Sequence, residues 1–167
     1  MFEGCTSLVN APVLPATTLA DYCYSNMFSD CTSLVNAPEL PATTLADDCY
    51  DGMFGDCTSL VTAPELPATT LADRCYANMF AGCTSLVTAP DLPATTLTEL
   101  CYDSMFSNCT SLNYIKMLAT NISTYLSLRG WVDNVSPTGT FVKSTDATWD
   151  ESGSIRVIPE GWTVETV

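Results

Sequence analysis

The sequence contains no histidine and only five lysine and arginine residues, against nineteen aspartates and glutamates, which gives a formal net charge of −14. Nucleic acids and anionic membrane surfaces are bound by clustered lysine and arginine side chains. Five basic residues are too few for such a cluster, so we expect no nucleic-acid partner. Without histidine, the chain also lacks the commonest general base and a common zinc ligand.

Long apolar runs are missing as well. No stretch reaches the roughly 18 apolar residues that a membrane-spanning helix needs, so we expect no membrane insertion in this segment. The first residues, Met1 to Glu3, carry neither the basic nor the apolar region of a secretory signal peptide.

Catalytic motifs are absent too. The chain has no Ser/His/Asp set and no phosphate-binding glycine loop, which predicts a protein that is not an enzyme and holds no cofactor. Nine cysteines are present, but none stands in C-x-x-C spacing, and a thiol nucleophile would lack its usual base. We interpret the cysteines as small core residues and expect no metal site.

What the sequence does have is a 26-residue repeat, opened each time by a Met-Phe pair. The repeat has the form MFxxCTSLVxAPxLPATTLxxxCYxx, and the fifth copy departs from it after Leu112. Near-identical units of this kind stack on one another, each contacting its neighbours. The pairs are Met1-Phe2, Met27-Phe28, Met53-Phe54, Met79-Phe80 and Met105-Phe106.

Within one repeat, the pattern predicts a helix followed by a strand. Apolar residues between Leu45 and Cys57 recur at i, i+4, i+5, i+8, i+9 and i+12, which is typical of one helix face. Thr44 and Asp47 form a capping-box pattern before it. The capping pair recurs in the other repeats as Thr18/Asp21, Thr70/Asp73 and Thr96/Glu99.

The segment from Ser59 to Ala63 is partly β-branched and ends at Pro64, which predicts a short strand and a turn. Stacked repeats would place equivalent strands about 4.8 Å apart in a parallel sheet. One internal column would hold Leu8, Leu34, Leu60, Leu86 and Leu112.

The two ends of the chain differ from the repeats. We predict a solenoid of about five coils over residues 1–118 and a C-terminal α+β cap over 119–167. In that cap, a last helix would begin at Ser123, and strands would cover residues 140–142 and 155–158, with a polar loop over 146–153 between the strands. The first helical turn and its cap are absent before Met1. This predicts a longer parent protein, a partner over the first coil, or end-to-end self-association through that uncapped coil.

The C-x-x-L segment followed by proline, and then by an aromatic residue and a second cysteine, resembles the BspA-like leucine-rich repeats of bacterial surface proteins. The likeness covers about residues 1–118. It implies an α/β leucine-rich-repeat solenoid with strand-turn-helix coils and a cell-surface or secreted location. It also implies adhesion to host proteins or to other cells.

We expect binding at repeated outer positions. Glu39, Glu65 and Asp91 occupy one repeat position after the strand, and their aligned like charges favour a basic partner. The outward strand positions are Asn36, Thr62 and Thr88, next to Val35, Val61 and Val87. The predicted partner is a host or cell-surface protein or glycan. The alternative is a structural spacer that displays another domain.

Overall fold

The computed structural model describes residues 1–149 and 156–167. These residues contain three strands and no helix: β1 (Tyr114–Met117), β2 (Thr140–Lys143) and β3 (Thr163–Thr166). The strands form one parallel sheet in the order β1-β2-β3. The predicted α/β leucine-rich-repeat solenoid of strand-turn-helix coils is therefore wrong, and so is the helical part of the predicted cap.

In place of each predicted helix, the chain makes a series of tight turns. The amide of Tyr24 donates to the carbonyl of Cys49 in the next coil (3.0 Å), whereas the following amide, of Ser25, donates three residues back to Tyr22 (3.2 Å). This alternation continues through each repeat. An α-helix instead bonds every amide to the carbonyl four residues before it. Half of the amide groups here hold neighbouring coils together, which a helix does not allow.

The turns depend on a left-handed backbone conformation at every fourth residue. For residues with a Cβ atom this conformation costs about 1–2 kcal/mol, and Gly, Asn and Asp adopt it most readily. These types fill most of the positions, with Tyr22, Arg74, Leu100, Ser104 and Leu126 as the exceptions. The positions with positive φ in these turns are 4, then 22, 26 and 30, then 48, 52 and 56, then 74, 78 and 82, then 100, 104 and 108, and finally 126, 130 and 134. Gly161, outside the turns, also has a positive φ.

The predicted capping boxes are also wrong, because the carboxylates bond between coils. Asp21 Oδ1 accepts a hydrogen bond from the amide of Asp47 (3.3 Å), and Asp47 Oδ1 accepts one from the amide of Asp73 (3.1 Å). Asp73 Oδ1 accepts in turn from the amide of Glu99 (3.1 Å). Each of these aspartates therefore links its own coil to the next one.

The core consists of columns of identical residues stacked at the repeat interval. Phe28 and Phe54 stack with ring centroids 5.7 Å apart, and Tyr50 and Tyr76 lie 5.8 Å apart. A third column is formed by thiols: Cys57 Sγ donates to the carbonyl of Phe28 at 3.1 Å, and the same bond recurs in the other coils. The leucine column is fully buried from Leu34 to Leu112, whereas Leu8 is half-buried.

The chain after the repeats extends this architecture. The predicted helix from Ser123 is a further series of turns, and Trp131 is buried at the end of both aromatic columns, where it meets Phe141 edge-on. Trp131 Nε1 donates to the carbonyl of Val157 at 3.1 Å. Of the predicted strand over 155–158, residues 156–158 are not in a strand. Residue 155 and residues 150–153 of the predicted loop lie outside the described residues.

Candidate functional site

The predicted strand positions form an exposed column with little regular strand structure. Asn36 makes single parallel bridges to Asn10 and to Thr62, and Thr88 bridges to Tyr114. The side chains of Asn36, Thr62 and Thr88 are all exposed. The strand predicted for each repeat is thus reduced to a bridge, and extended pairing begins only at β1.

The predicted acidic positions line two consecutive grooves on the surface, which we call the proline groove. The first part has a volume of about 480 Å³ and lies between the segments 37–41 and 63–67, with Glu39 and Glu65 in its walls. The second part, of about 500 Å³, lies between 63–67 and 90–93 and contains Glu65 and Asp91. Glu39, Glu65 and Asp91 are all exposed.

The strand column and the proline groove belong to one continuous surface. A third depression of about 380 Å³ is lined by Val61, Thr62, Val87 and Thr88, and it shares Ala63 and Pro90 with the proline groove. Two of the three predicted strand positions therefore lie directly beside the acidic column. Asn36 lines none of these depressions and continues the column one coil earlier.

At one end of the groove, a lysine of the chain itself occupies the acidic column. Lys116 Nζ lies 2.6 Å from Asp91 Oδ2. Leu92 bridges to Met117, so the fifth coil is one residue shorter at this point and Lys116 stands opposite Asp91. The hydrogen bond to Asp91, reinforced by its charge, raises the pKa of Lys116 above its ordinary value. This pair shows how a primary ammonium group binds to the acidic column.

Glu39 and Glu65 differ from Asp91 in this respect. Within the described part of the chain, no lysine or arginine nitrogen lies within 4.0 Å of either carboxylate. The pairs made by Arg74 and Arg129 instead link successive coils; Arg74, for example, binds Asp48 of the preceding coil at 2.6 Å. Glu39 and Glu65 are thus two acidic positions that contact solvent in the proline groove.

Two parts of this surface were not predicted from the sequence. Prolines are six of the thirteen residues that line the groove, and a signal was present, because the A-P-x-L-P string recurs in four repeats. The role of Lys116 was not predicted either, because the local one-residue shift that aligns it with Asp91 is not visible in the sequence pattern. Only the pairing of Leu92 with Met117 reveals that alignment.

The cysteines are placed as core residues in all coils but the first. Seven of the nine are buried, whereas Cys5 and Cys23 are exposed. Burial raises the pKa of the Cys49, Cys57 and Cys109 thiols to about 12. At neutral pH these thiols are protonated, and a protonated thiol is a poor nucleophile and a poor metal ligand.

Three further findings concern the whole described chain. Over residues 1–149 and 156–167, no group of three or more Cys, Asp or Glu side chains is placed to hold a metal ion. The same residues include no helix that is long and apolar enough to cross a membrane. The resemblance to BspA-like repeats stays a prediction, because comparisons with protein-family models, with curated proteins and with solved structures find no match.

Proposed function

We propose that this chain is a non-enzymatic protein-binding module of a cell-surface or secreted protein, and that it binds lysine- or arginine-bearing partners in the proline groove. The observation that carries the proposal is the acidic column itself. Asp91 already holds an ammonium group at 2.6 Å, while Glu39 and Glu65 present the same chemistry in the same groove.

The electrostatics of the groove favour a cation. Carboxylates aligned on neighbouring coils repel one another, and a bound ammonium or guanidinium group relieves that repulsion. The rest of the repeat region offers little internal compensation, because residues 1–104 contain thirteen carboxylates and only one basic residue, Arg74. A basic partner is therefore attracted at long range and then bound at specific positions.

The walls of the groove favour an extended polypeptide. Proline has a fixed φ angle, so Pro38, Pro64 and Pro67 lose little conformational freedom when a partner binds. The neighbouring positions Thr62 and Thr88 add hydroxyl groups for hydrogen bonds to a partner backbone. Equivalent contacts repeat from coil to coil, so several weak contacts add up to high avidity. A protein partner fits this chemistry better than a neutral glycan does.

The test is a binding assay of the purified chain on a panel of extracellular-matrix proteins and glycans, with an oligolysine peptide as the minimal cationic probe. The variant E39Q/E65Q removes both solvent-contacting charges of the groove and keeps the side-chain shapes. The matched control is E3Q/E99Q, which changes net charge equally at exposed positions outside the groove. We expect saturable binding that weakens with salt, and that falls about tenfold or more in E39Q/E65Q only.

A spacer that displays another domain is the second candidate, and it is favoured by the continuous aromatic columns, which stiffen the stack. A spacer needs no partner in the groove. Equal binding by E39Q/E65Q and E3Q/E99Q, or binding to nothing in the panel, would favour this second function over the first.

A further inference from the structure

The proline groove runs along the axis of the stack. Its first part lies between the segments 37–41 and 63–67, and its second part lies between 63–67 and 90–93, so the two parts share the middle segment. Each part therefore joins two neighbouring coils, and the two parts follow one another from coil to coil. An elongated partner that fills both parts must lie across the coils, parallel to the stack axis.

The carboxylates in this groove are spaced by one coil. Glu39 and Glu65 occupy the same position in successive repeats. Neighbouring coils are joined by parallel bridges such as that between Asn36 and Thr62. Parallel backbones that pair in this way lie about 4.8 Å apart. A partner that binds both carboxylates must therefore present two cations at about this interval.

The acidic column changes character on both sides of these two residues. The equivalent position in the repeat before Glu39 is Val13, which has no charge. The position after Glu65 is Asp91, whose carboxylate is already paired with the ammonium group of Lys116. In the described part of the chain, two consecutive carboxylates of this column thus remain for a partner. A partner gains from two cations in this groove, and a third cation finds no free carboxylate at the next position.

Lys116 also indicates which kind of cation this surface accommodates. Its ammonium group reaches the carboxylate of Asp91, yet the side chain as a whole is only 29% exposed. The methylene stem is therefore largely covered, which is usual for a lysine that packs its apolar part on a surface and keeps its charge in water. Prolines, alanines and buried leucines line the groove beside Glu39 and Glu65, and they offer an apolar support to the stem of a partner's lysine.

An extended polypeptide meets the coil spacing with alternate residues. Successive residues advance by about 3.3 Å and point to opposite sides, so alternate residues share one side at an interval of about 6.6 Å. The flexible four-carbon stem of lysine absorbs the difference of about 2 Å from the coil spacing. Adjacent lysines would face opposite sides. Lysines four residues apart would be separated by about 13 Å, which is more than the distance between two neighbouring coils.

We propose, on the basis of the function proposed above, that the proline groove binds an extended segment with the sequence Lys-x-Lys, which lies parallel to the stack axis. One ammonium group pairs with Glu39 and the other pairs with Glu65. The two lysine stems pack on the exposed prolines of the groove, Pro41 and Pro67. The intervening residue points away from the groove and contributes little to recognition.

The experiment is an NMR titration of the intact chain at low salt with three synthetic peptides of identical composition. Each peptide has blocked ends and two lysines in a background of glycine and serine. The lysines are adjacent in the first peptide, alternate in the second and four residues apart in the third. The variants E39Q and E65Q each remove one charge of the groove. The matched control E99Q changes the net charge equally at an exposed position outside the groove.

We expect the alternate peptide to bind the wild type about fivefold more tightly than either isomer does, which corresponds to the gain of one additional exposed ion pair. E39Q and E65Q should each lose this preference, because a single carboxylate cannot distinguish the isomers. E99Q should retain it. The largest chemical-shift changes should lie in the segments 37–41 and 63–67.

Peptides with three lysines test the limit that Lys116 sets at Asp91. The two peptides are Lys-x-Lys-x-Lys and Lys-x-Lys-Lys, which carry the same charge. The wild type should bind them equally. K116Q frees the third carboxylate, so it should bind the fully alternating peptide about fivefold more tightly than the other. D91N/K116Q should again bind the two peptides equally.

The possible failures are distinguishable. Equal binding of the three two-lysine isomers, with loss of binding in E39Q/E65Q, would overturn the Lys-x-Lys spacing and leave the function proposed above intact. Binding of no peptide, or equal binding by the wild type and E39Q/E65Q, would overturn both. Cadaverine is a diamine with the same charge as the two-lysine peptides and no backbone. If it bound as tightly as the alternate peptide, and with the same loss in E39Q/E65Q, the groove would be a site for small diamines and the proposal of a polypeptide segment would be wrong.

Discussion

The guanidinium group of Arg129 donates two hydrogen bonds to the carboxylate of Asp103, which lies one coil earlier in the stack. Asp103 is 3% exposed, so Arg129 is the charge that compensates a carboxylate removed from water. Asp48 is equally enclosed, at 6% exposed, and Arg74 of the next coil compensates it. In both cases one charged pair links two successive coils.

The first prediction follows from this pair. We expect R129M to lower the free energy of unfolding clearly more than its control does, because Asp103 loses its charged donors while it stays buried. The measurement is urea unfolding at neutral pH. R156M is the control, since Arg156 pairs with Glu160 at 3.8 Å on the surface and its loss should cost less than about 0.5 kcal/mol. Equal losses in the two variants would show that the buried position of Asp103 does not matter.

The second prediction concerns the left-handed turn residues. Asn26 has φ +51° and an exposed side chain, and its equivalent Gly52 lies in the middle of the predicted helix. In this conformation alanine is disfavoured relative to glycine, so the free energy of unfolding of N26A should be about 1 kcal/mol lower than that of N26G. In an α-helix the order is reversed, with glycine about 1 kcal/mol worse than alanine. The order of the two variants in urea unfolding therefore distinguishes the turns from a helix directly.

The third prediction is a loss of stability at alkaline pH. Burial raises the pKa of Cys57 from 9.0 to about 12. Below pH 9 the thiol is protonated in both the folded and the unfolded chain, and its contribution to stability is complete. Between pH 9 and 12 the unfolded chain loses this proton and the folded chain keeps it, which costs about 1.4 kcal/mol per pH unit for each such thiol.

This dependence is measured as the free energy of unfolding from pH 8 to 11 under reducing conditions. C57A should show a shallower fall than the wild type, although its stability at pH 8 is lower. The control C5A removes an exposed thiol and should leave the slope unchanged. An identical slope in C57A and C5A would contradict the assignment of the pH effect to buried thiols.

The fourth prediction tests the role of Lys116 in the groove. Lys116 neutralises Asp91, so K116Q makes a third carboxylate accessible beside Glu39 and Glu65. We expect K116Q to bind an oligolysine peptide about tenfold more tightly than the wild type, and D91N/K116Q to return to the affinity of the wild type. Isothermal titration calorimetry at low salt measures both affinities. Unchanged affinity in K116Q would show that Asp91 is not part of the proposed binding surface.

Much of the site could be read from the repeat. Once Glu39, Glu65 and Asp91 stand at one repeat position, stacking alone places them on neighbouring coils. Thr62 and Thr88, which were expected at outward positions, are exposed, and burial of Cys57 and of its equivalents beyond the first coil followed from their place among apolar residues. The walls of the groove were not predicted, because prolines were considered only as strand terminators.

The helix was predicted wrongly for a specific reason. Pairs such as Cys49-Tyr50 and Met53-Phe54 recur every four residues, which is close to the 3.6-residue period of an α-helix. Both a helix and a series of four-residue turns place these pairs in a core. The distinguishing signal is the Gly, Asn or Asp between successive pairs, as at Gly52 and Asp56, where φ is positive.

By itself, the sequence determined which residues are equivalent, which columns they form and which of them are apolar enough to be buried, because these properties depend only on repeat length and residue type. Tertiary structure decided the backbone conformation inside each repeat. A lone repeat has no carbonyls from a following coil, so its amides can be satisfied only locally. Stacked coils supply those carbonyls, and hydrogen bonds such as that from Tyr24 to Cys49 then compensate for left-handed turns that no isolated segment would favour.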